Sequence, residues 1–125
     1  MKQKQIIMAC KVLNKLYEKD LSLSVSYKLF RLRNMLRDQW EFQQEKESAL
    51  FEKYNPTVGI DGVLDFGSKE QEESFRHEFN DLMKEMAEMD VDIGDFNKIT
   101  LHLDDNLDLS MSDIDALSDF IDFVE

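Results

Sequence analysis

A helical spacing of mostly apolar side chains that continues over residues 25–54 constrains this chain more than any other feature. Its positions recur every three or four residues, which is the period of one face of an α-helix. They are Val25, Leu29, Leu32, Leu36, Trp40, Gln43, Glu47, Leu50 and Tyr54. At about 1.5 Å per residue the predicted helix extends on the order of 45 Å. Because the stripe weakens at Gln43 and Glu47, we expect the helix to leave the core there or to meet something other than its own core.

The flanks of this helix and the wider composition both favour a helical fold. Ser22 and Ser24 are candidate N-caps. Asn55 precedes Pro56, and the residue before a proline is pushed out of the α region, so the helix should end there. One Pro and four Gly in 125 residues leave long windows without a helix breaker.

Three further helices follow from the same spacing. The first spans roughly 2–18, the third starts at a Ser68 capping box (SKEQ) and ends near Asp90, and the last is capped by Ser110 or Ser112. Their apolar stripes are, in chain order, Ile6, Cys10, Leu13 and Tyr17; then Phe75, Phe79, Leu82, Met86 and Met89; then Ile114, Leu117, Ile121 and Val124.

Two stretches predict short strands. The Gly-rich segment TVGIDGVLDFGS predicts a turn-rich connection with a strand at 63–66, and residues 98–103 alternate strictly between apolar and polar side chains. We therefore predict one helical domain over 1–125, of mostly α class with minor α+β character. It should hold about four helices, one of them long and central, and a short two-stranded element.

Charge divides the chain into two halves. Residues 1–54 carry eleven Lys/Arg and seven Asp/Glu, a basic to neutral balance of +4, whereas 55–125 carry four Lys/Arg and twenty Asp/Glu, a balance of −16. An acidic surface repels nucleic acid and anionic lipid and attracts basic protein surfaces. We expect no nucleic acid to bind directly through the acidic half, and no membrane contact.

The end of the chain, 103–125, holds eight acidic side chains and no basic one. On a last helix extending to Val124, the aspartates at 115, 119 and 122 would gather within about 60° on the side away from the apolar stripe. We predict a partner-binding acidic face, with aromatic anchors inside it. The acidic residues are Asp104, Asp105, Asp108, Asp115, Asp119 and Asp122, and the anchors are Phe120 and Phe123. Simple solvation of the charges is the alternative.

Raw material for catalysis or metal binding is scarce. Two His and one Cys leave almost no residues from which to build a zinc site or a Cys–His or Ser–His–Asp catalytic arrangement. The segment DVDIGDFNKITL (90–101) fails as a calcium loop, because Gly94 stands at loop position five instead of six and Leu101 occupies position twelve, where a bidentate glutamate is needed. We expect no enzymatic activity, no metal and no cofactor, with His77 and His102 solvated and Cys10 a packed thiol in a reducing compartment.

A basic cluster on the long helix interleaves with aromatic side chains. Its cations are Lys28, Arg31, Arg33 and Arg37, and its aromatic residues are Tyr27, Phe30 and Trp40. A nucleic-acid-binding face needs such a pattern. The interpretation we favour is a solvated helix face, with the aromatic rings in the core and the cations drawn toward the protein's own acidic half.

The order of features resembles a family of small, acidic, mostly helical proteins encoded by bacteriophages and prophages of Gram-positive bacteria, catalogued as a domain of unknown function. The matching stretches are SYKLFRLRNML, EFQQEKESALFEKY, GIDG, FNDLMKEMAEMDVDI and ITLHLDDNLDLSMSDIDALSDFI. They cover nearly the whole chain and contain no catalytic signature. The resemblance implies a phage origin, a binding role and residence in the host cytoplasm or in association with the virion.

Two functions follow from these features as hypotheses. The first is a non-enzymatic phage accessory protein that acts by protein–protein contact in the virion, in assembly or in host takeover, on a partner with a basic surface. The second is an anionic nucleic-acid mimic that inhibits a host defence nuclease, of the anti-CRISPR or anti-restriction type. A mimic needs a dense array of carboxylates to match the phosphates of duplex DNA. The long helix could also support a homo-oligomer.

Overall fold

A computed structural model describes residues 1–103 and 107–125. In this part of the chain the helices are α1 (Gln3–Leu16), α2 (Leu23–Tyr54), α3 (Lys69–Ala87) and α4 (Met111–Leu117). The strands are β1 (Thr57–Val58), β2 (Leu64–Asp65), β3 (Ile99–His102) and β4 (Ile121–Val124). The predicted class, mostly α with one long helix and a minor β component, is confirmed.

The long helix α2 begins and ends at the residues that local signals indicate. The Ser22 hydroxyl accepts a hydrogen bond from the backbone N–H of Val25 at 3.3 Å, which satisfies one free donor of the first turn. At the other end Asn55 takes a left-handed conformation with φ of 44°, and its N–H donates to the Phe51 carbonyl. Asparagine tolerates this conformation better than most residues, so it suits the position.

The main core lies between α1, the first half of α2, α4 and the β3–β4 pair. Its fully buried side chains include Ile6 of α1, Leu36 of α2, Leu101 of β3 and Phe120. The N-terminus is tied to the end of α3 as well, because the Gln3 N–H donates to the Met89 carbonyl at 2.9 Å. The helix α1 therefore contacts all three other helices.

The second half of α2 leaves this core and packs against α3, as the weakened stripe predicts. The Gln43 amide donates to Glu47 at 3.5 Å where the apolar stripe is interrupted. Beyond that point an aromatic cluster joins α2 to α3; its rings are Phe51, Tyr54, Phe66, Phe75 and Phe79. Ring centroid separations of 4.7–6.4 Å are those of favourable aromatic pairs.

Each β element is a two-stranded pair of its own. Strands β1 and β2 form an antiparallel hairpin, and β3 pairs with β4 in parallel, with Ile99 opposite Ile121 and His102 opposite Val124. The prediction that the last helix continues to Val124 is wrong, because α4 ends at Leu117 and residues 121–124 form β4. Backbone pairing with β3 satisfies the hydrogen-bonding groups there, and the alternation of the IDFV segment places Ile121 inward and Asp122 outward.

Candidate interaction surfaces

The predicted acidic face is distributed over four kinds of local structure. Asp108 lies exposed in the loop before α4 with φ of 52°, and Asp115 is exposed on α4. Asp119, in the turn after α4, accepts a hydrogen bond from Gln5 at 3.3 Å. Asp122 lies on β4, 3.6 Å from the Lys98 ammonium. Asp104 and Asp105 lie outside the described residues.

A single helical stripe of aspartates therefore does not form. Because α4 ends at Leu117, the 60° sector predicted for Asp115, Asp119 and Asp122 does not exist, and two of these three carboxylates already have a partner within the chain. The acidic character of the half remains, but it is spread over a loop, a helix, a turn and a strand.

Phe120, predicted as a partner-binding anchor, does not lie on the surface. Its side chain is fully buried, and its ring stacks on that of Phe96 with centroids 5.4 Å apart. Phe123 is half-buried and packs on the same core. The pairing of β4 with β3 turns both rings toward the core, because the Phe120 carbonyl oxygen accepts a hydrogen bond from the Ile99 N–H and Phe123 lies opposite Leu101.

Asp113 accepts more hydrogen bonds than the other described acidic residues of 107–125. The predicted acidic face does not include it. Its carboxylate accepts from Lys15 at 3.0 and 3.1 Å and from the Ser110 N–H at 3.2 Å. The Lys15 ammonium, followed by the Ser110 amide, holds the pKa of Asp113 below its usual range. The Ser110-x-x-Asp113 spacing of a capping box was the available signal.

The β1–β2 hairpin exposes a group of apolar side chains within the acidic half. Their exposed fractions are 69% for Val58, 110% for Ile60, 62% for Val63 and 39% for Leu64. The turn is held by the Gly59 N–H, which donates to the Val63 carbonyl at 2.9 Å, and Gly62 takes φ of 79°. The sequence predicts a turn-rich connection with a strand at 63–66, and β2 lies within that stretch, paired with β1. Apolar residues on both sides of GIDG were the signal for an apolar hairpin.

The two halves of the chain are joined by ion pairs that involve lysines outside the basic cluster. These pairs are Lys2–Asp90, Lys4–Glu88, Lys15–Asp113 and Lys53–Glu78, with N–O distances of 2.7–3.1 Å. The Lys53 ammonium, with help from the Tyr54 hydroxyl, lowers the pKa of Glu78. Cations are indeed drawn toward the acidic half, but they are not the cations that the sequence analysis named.

The basic cluster on α2 has a different environment from the one we favoured. Tyr27 and Phe30 are 58% and 52% exposed, so the interpretation that places these rings in the core is wrong for both. Arg33 lies over the Tyr17 ring at 4.7 Å. Arg37 is 3.9 Å from Glu41 of its own helix. No cation of the cluster forms an ion pair with a described carboxylate of the acidic half.

Two concave sites adjoin this cluster. A cleft of about 700 Å³ lies between α2 and the segment 95–99, and Lys28 and Arg31 form part of its wall. A smaller cavity of about 180 Å³ lies between α1 and α2 beside Cys10 and Tyr17. Burial raises the pKa of the Cys10 thiol to about 11 and that of Tyr17 to about 12, so both groups are neutral near pH 7.

Metal-binding clusters and membrane-spanning helices are both absent from residues 1–103 and 107–125. There, no three His, Cys, Asp or Glu side chains converge in a way that could hold a metal ion. His77 and His102 are exposed, as predicted. None of the helices in the described ranges combines the length and the apolar character needed to cross a bilayer. In comparisons with known proteins, no family model, no curated sequence and no solved structure matches this chain.

Proposed function

We propose that this is a non-enzymatic interaction protein whose acidic half, residues 55–125, binds a protein partner with a basic surface. The observation that carries the proposal is the β1–β2 hairpin, which presents Val58, Ile60, Val63 and Leu64 to solvent within the acidic half of the chain. Grouped exposed apolar side chains with polar surroundings are typical of contact sites.

The hairpin takes the anchor role that the sequence analysis gave to Phe120 and Phe123. Ile60 lies at the tip and is fully exposed, so it can enter a pocket of a partner without any rearrangement of the core. Asp61 and Asp65 lie on the same hairpin, and Glu70 and Glu72 follow in the first turn of α3. An apolar centre flanked by carboxylates suits a partner surface with an apolar pocket and basic rim.

Both strands of the hairpin are also edge strands. Within residues 1–103 and 107–125, each of β1 and β2 pairs with the other alone, so each presents an edge that no other described strand covers. Such an edge can accept an additional strand of another protein. The resemblance to phage-encoded proteins supports a partner in the infected cell, either a phage structural or assembly protein or a host protein.

Affinity capture from host-cell lysate, infected and uninfected, tests this proposal. We expect Ile60→Ser to abolish capture of the partner that the unaltered protein retains. Leu23→Ser is the matched control, because Leu23 is 87% exposed but lies in the basic half at the start of α2. Equal loss with both variants, or no loss with Ile60→Ser, would contradict the role of the hairpin.

The nucleic-acid mimic predicts a different outcome of the same experiment. Its binding would depend on charge and would survive Ile60→Ser. It would be lost when Asp108 and Asp115, exposed carboxylates with no ion pair among the described residues, are changed to Lys. Binding that collapses between low and high salt, together with this pattern, would replace the proposed contact by mimicry.

A further inference from the structure

We infer that the cleft between α2 and segment 95–99 binds an acidic protein segment that carries apolar side chains. This contact is independent of the proposed hairpin contact, because its lining comes from the first half of α2 and from the chain around β3. With both contacts, the protein would bridge two partners of opposite charge. The inference rests on the shape, the charge and the floor of the cleft.

Cations from two separate parts of the chain converge on the cleft. Lys28 and Arg31 lie one helical turn apart on α2, and Lys98 enters from the opposite wall, next to the start of β3. Asp95 is the acidic residue of the lining. The cleft is thus net positive in a protein whose formal charge is −12.

The α2 cations of the cleft form no ion pair with the part of the chain that the structure describes. Within residues 1–103 and 107–125, no carboxylate oxygen lies within 4.0 Å of Lys28 or Arg31, whereas Lys15 and Lys53 are bonded to the acidic half at 2.7–3.0 Å. Lys98 is 3.6 Å from Asp122. Like charges one turn apart on a helix repel each other, so helix stability alone does not favour Lys28 and Arg31 at these positions.

The floor of the cleft is apolar and largely aliphatic. Leu32 and Met35 of α2 lie opposite Ile99 of β3, and Phe96 closes one side. One face of the Phe96 ring is already stacked on Phe120. An aliphatic floor accepts leucine, isoleucine or methionine side chains, and methionine adapts its shape to them. Carboxylates of the same segment would then meet the cations at the rim.

A single-stranded nucleic acid is the competing occupant. Tyr27 and Phe30 are exposed on α2 near Arg31, and bases stack on such rings. These two rings stack on each other with centroids 6.4 Å apart and lie outside the cleft lining. The positive surface is also short, while the rest of the molecule repels a polyanion. Charge and floor together therefore favour a short acidic-apolar peptide.

Fluorescence anisotropy with labelled probes tests the inference on the full chain. The probe is a short peptide of alternating glutamate and leucine, compared with peptides in which serine replaces leucine or lysine replaces glutamate, and with an oligothymidine strand. We expect the glutamate–leucine peptide to bind, and to bind roughly tenfold more weakly when serine replaces leucine. Its affinity should fall with added salt.

Charge reversal in the cleft supplies the decisive comparison. Arg31→Glu and Lys28→Glu should each weaken binding of the glutamate–leucine peptide by roughly tenfold. Lys46→Glu makes the same charge change on the exposed face of the same helix, outside the cleft, and should change the affinity by less than about twofold. Circular dichroism verifies that each variant folds.

Three outcomes would overturn the inference. They are an absence of binding by the glutamate–leucine peptide, tighter binding of oligothymidine than of that peptide, and equal weakening by Lys46→Glu and Arg31→Glu. None of them bears on the hairpin, because Ile60 and its neighbours are not part of the cleft. Failure here and failure of the proposed function are therefore distinguishable.

Discussion

The Lys15 ammonium lies 3.0 and 3.1 Å from the two carboxylate oxygens of Asp113, and this pair joins α1 to α4 across 98 positions of the chain. Asp113 also accepts from the Ser110 N–H, while the Ser110 hydroxyl accepts from the Asp113 N–H. One side chain thus starts α4 and fixes it against α1. The helix α4 lies between β3 and β4 in the chain, so the pair also fixes a part of the connection between the two parallel strands.

Acid should remove the contribution of this pair to stability. The ammonium of Lys15 lowers the pKa of Asp113, so the folded state holds this carboxylate ionised at pH values where the unfolded state is protonated. The contribution is present above the unfolded-state pKa and is lost as the pH falls through the folded-state pKa. Urea unfolding over a series of pH values should show that the stability difference between the unaltered protein and Asp113→Asn shrinks toward acid. Asp115→Asn is the control, and a pH-independent difference would contradict the role of Lys15.

Truncation of Phe120 should reveal that this ring belongs to the core. The side chain is fully buried and stacks on Phe96, so Phe120→Ala should lower the free energy of unfolding by about 3–5 kcal/mol. Phe30→Ala, at a ring that is 52% exposed, should cost less than about 0.5 kcal/mol. Both are measured by urea unfolding. A similar small cost for the two variants would show that Phe120 is not in the core.

The end of α2 should be sensitive to the left-handed conformation of Asn55. A β-branched residue is disfavoured at φ of 44°, so Asn55→Val should destabilise the protein by about 1–2 kcal/mol. Asn55→Gly should be close to neutral, because glycine adopts this region freely. The urea midpoint measures both effects, and equal costs for valine and glycine would exclude a conformational cause.

Cys10 should react slowly in the folded protein. Burial raises its pKa to about 11, so at pH 8 the reactive thiolate is a small fraction of the total. Reaction with an aromatic disulfide should be slower by roughly a hundredfold in the folded protein than in urea. The rate in the folded protein should continue to rise with pH toward about 11. Equal rates in buffer and in urea would indicate an exposed thiol of ordinary pKa.

Local signals account for the helices that sequence analysis located well. Ser22 and Ser68 cap helices as expected, and Asn55 ends α2. A cap acts through hydrogen bonds within three residues, and a proline restricts the residue before it, so neither depends on distant parts of the chain. The apolar spacing of α1 and α3 likewise repeats within each helix. These elements could be predicted because their causes lie inside their own sequence windows.

The candidate surfaces were harder to predict because burial depends on partners far along the chain. Tyr27 and Phe120 are both aromatic residues in amphipathic segments, yet one is exposed and the other fully buried. Contacts with α1 and β3 determine which side of α2 is buried. For aromatic rings at the edge of that side, the spacing alone does not determine whether they are buried or exposed. The apolar hairpin and the Lys28–Arg31 cleft therefore became visible only in three dimensions.

The amino-acid sequence by itself determined the long helix α2, its two ends and the segregation of charge, since these follow from period, caps and composition. Tertiary structure alone decided that residues 121–124 form a strand. Their apolar spacing fits a helix and a strand equally well. They form a strand because β3, in which Ile99 lies opposite Ile121, supplies hydrogen-bond partners and a buried apolar surface. Tertiary structure also decided which cations are neutralised, because an ion pair between Lys15 and Asp113 forms only when folding brings the two together.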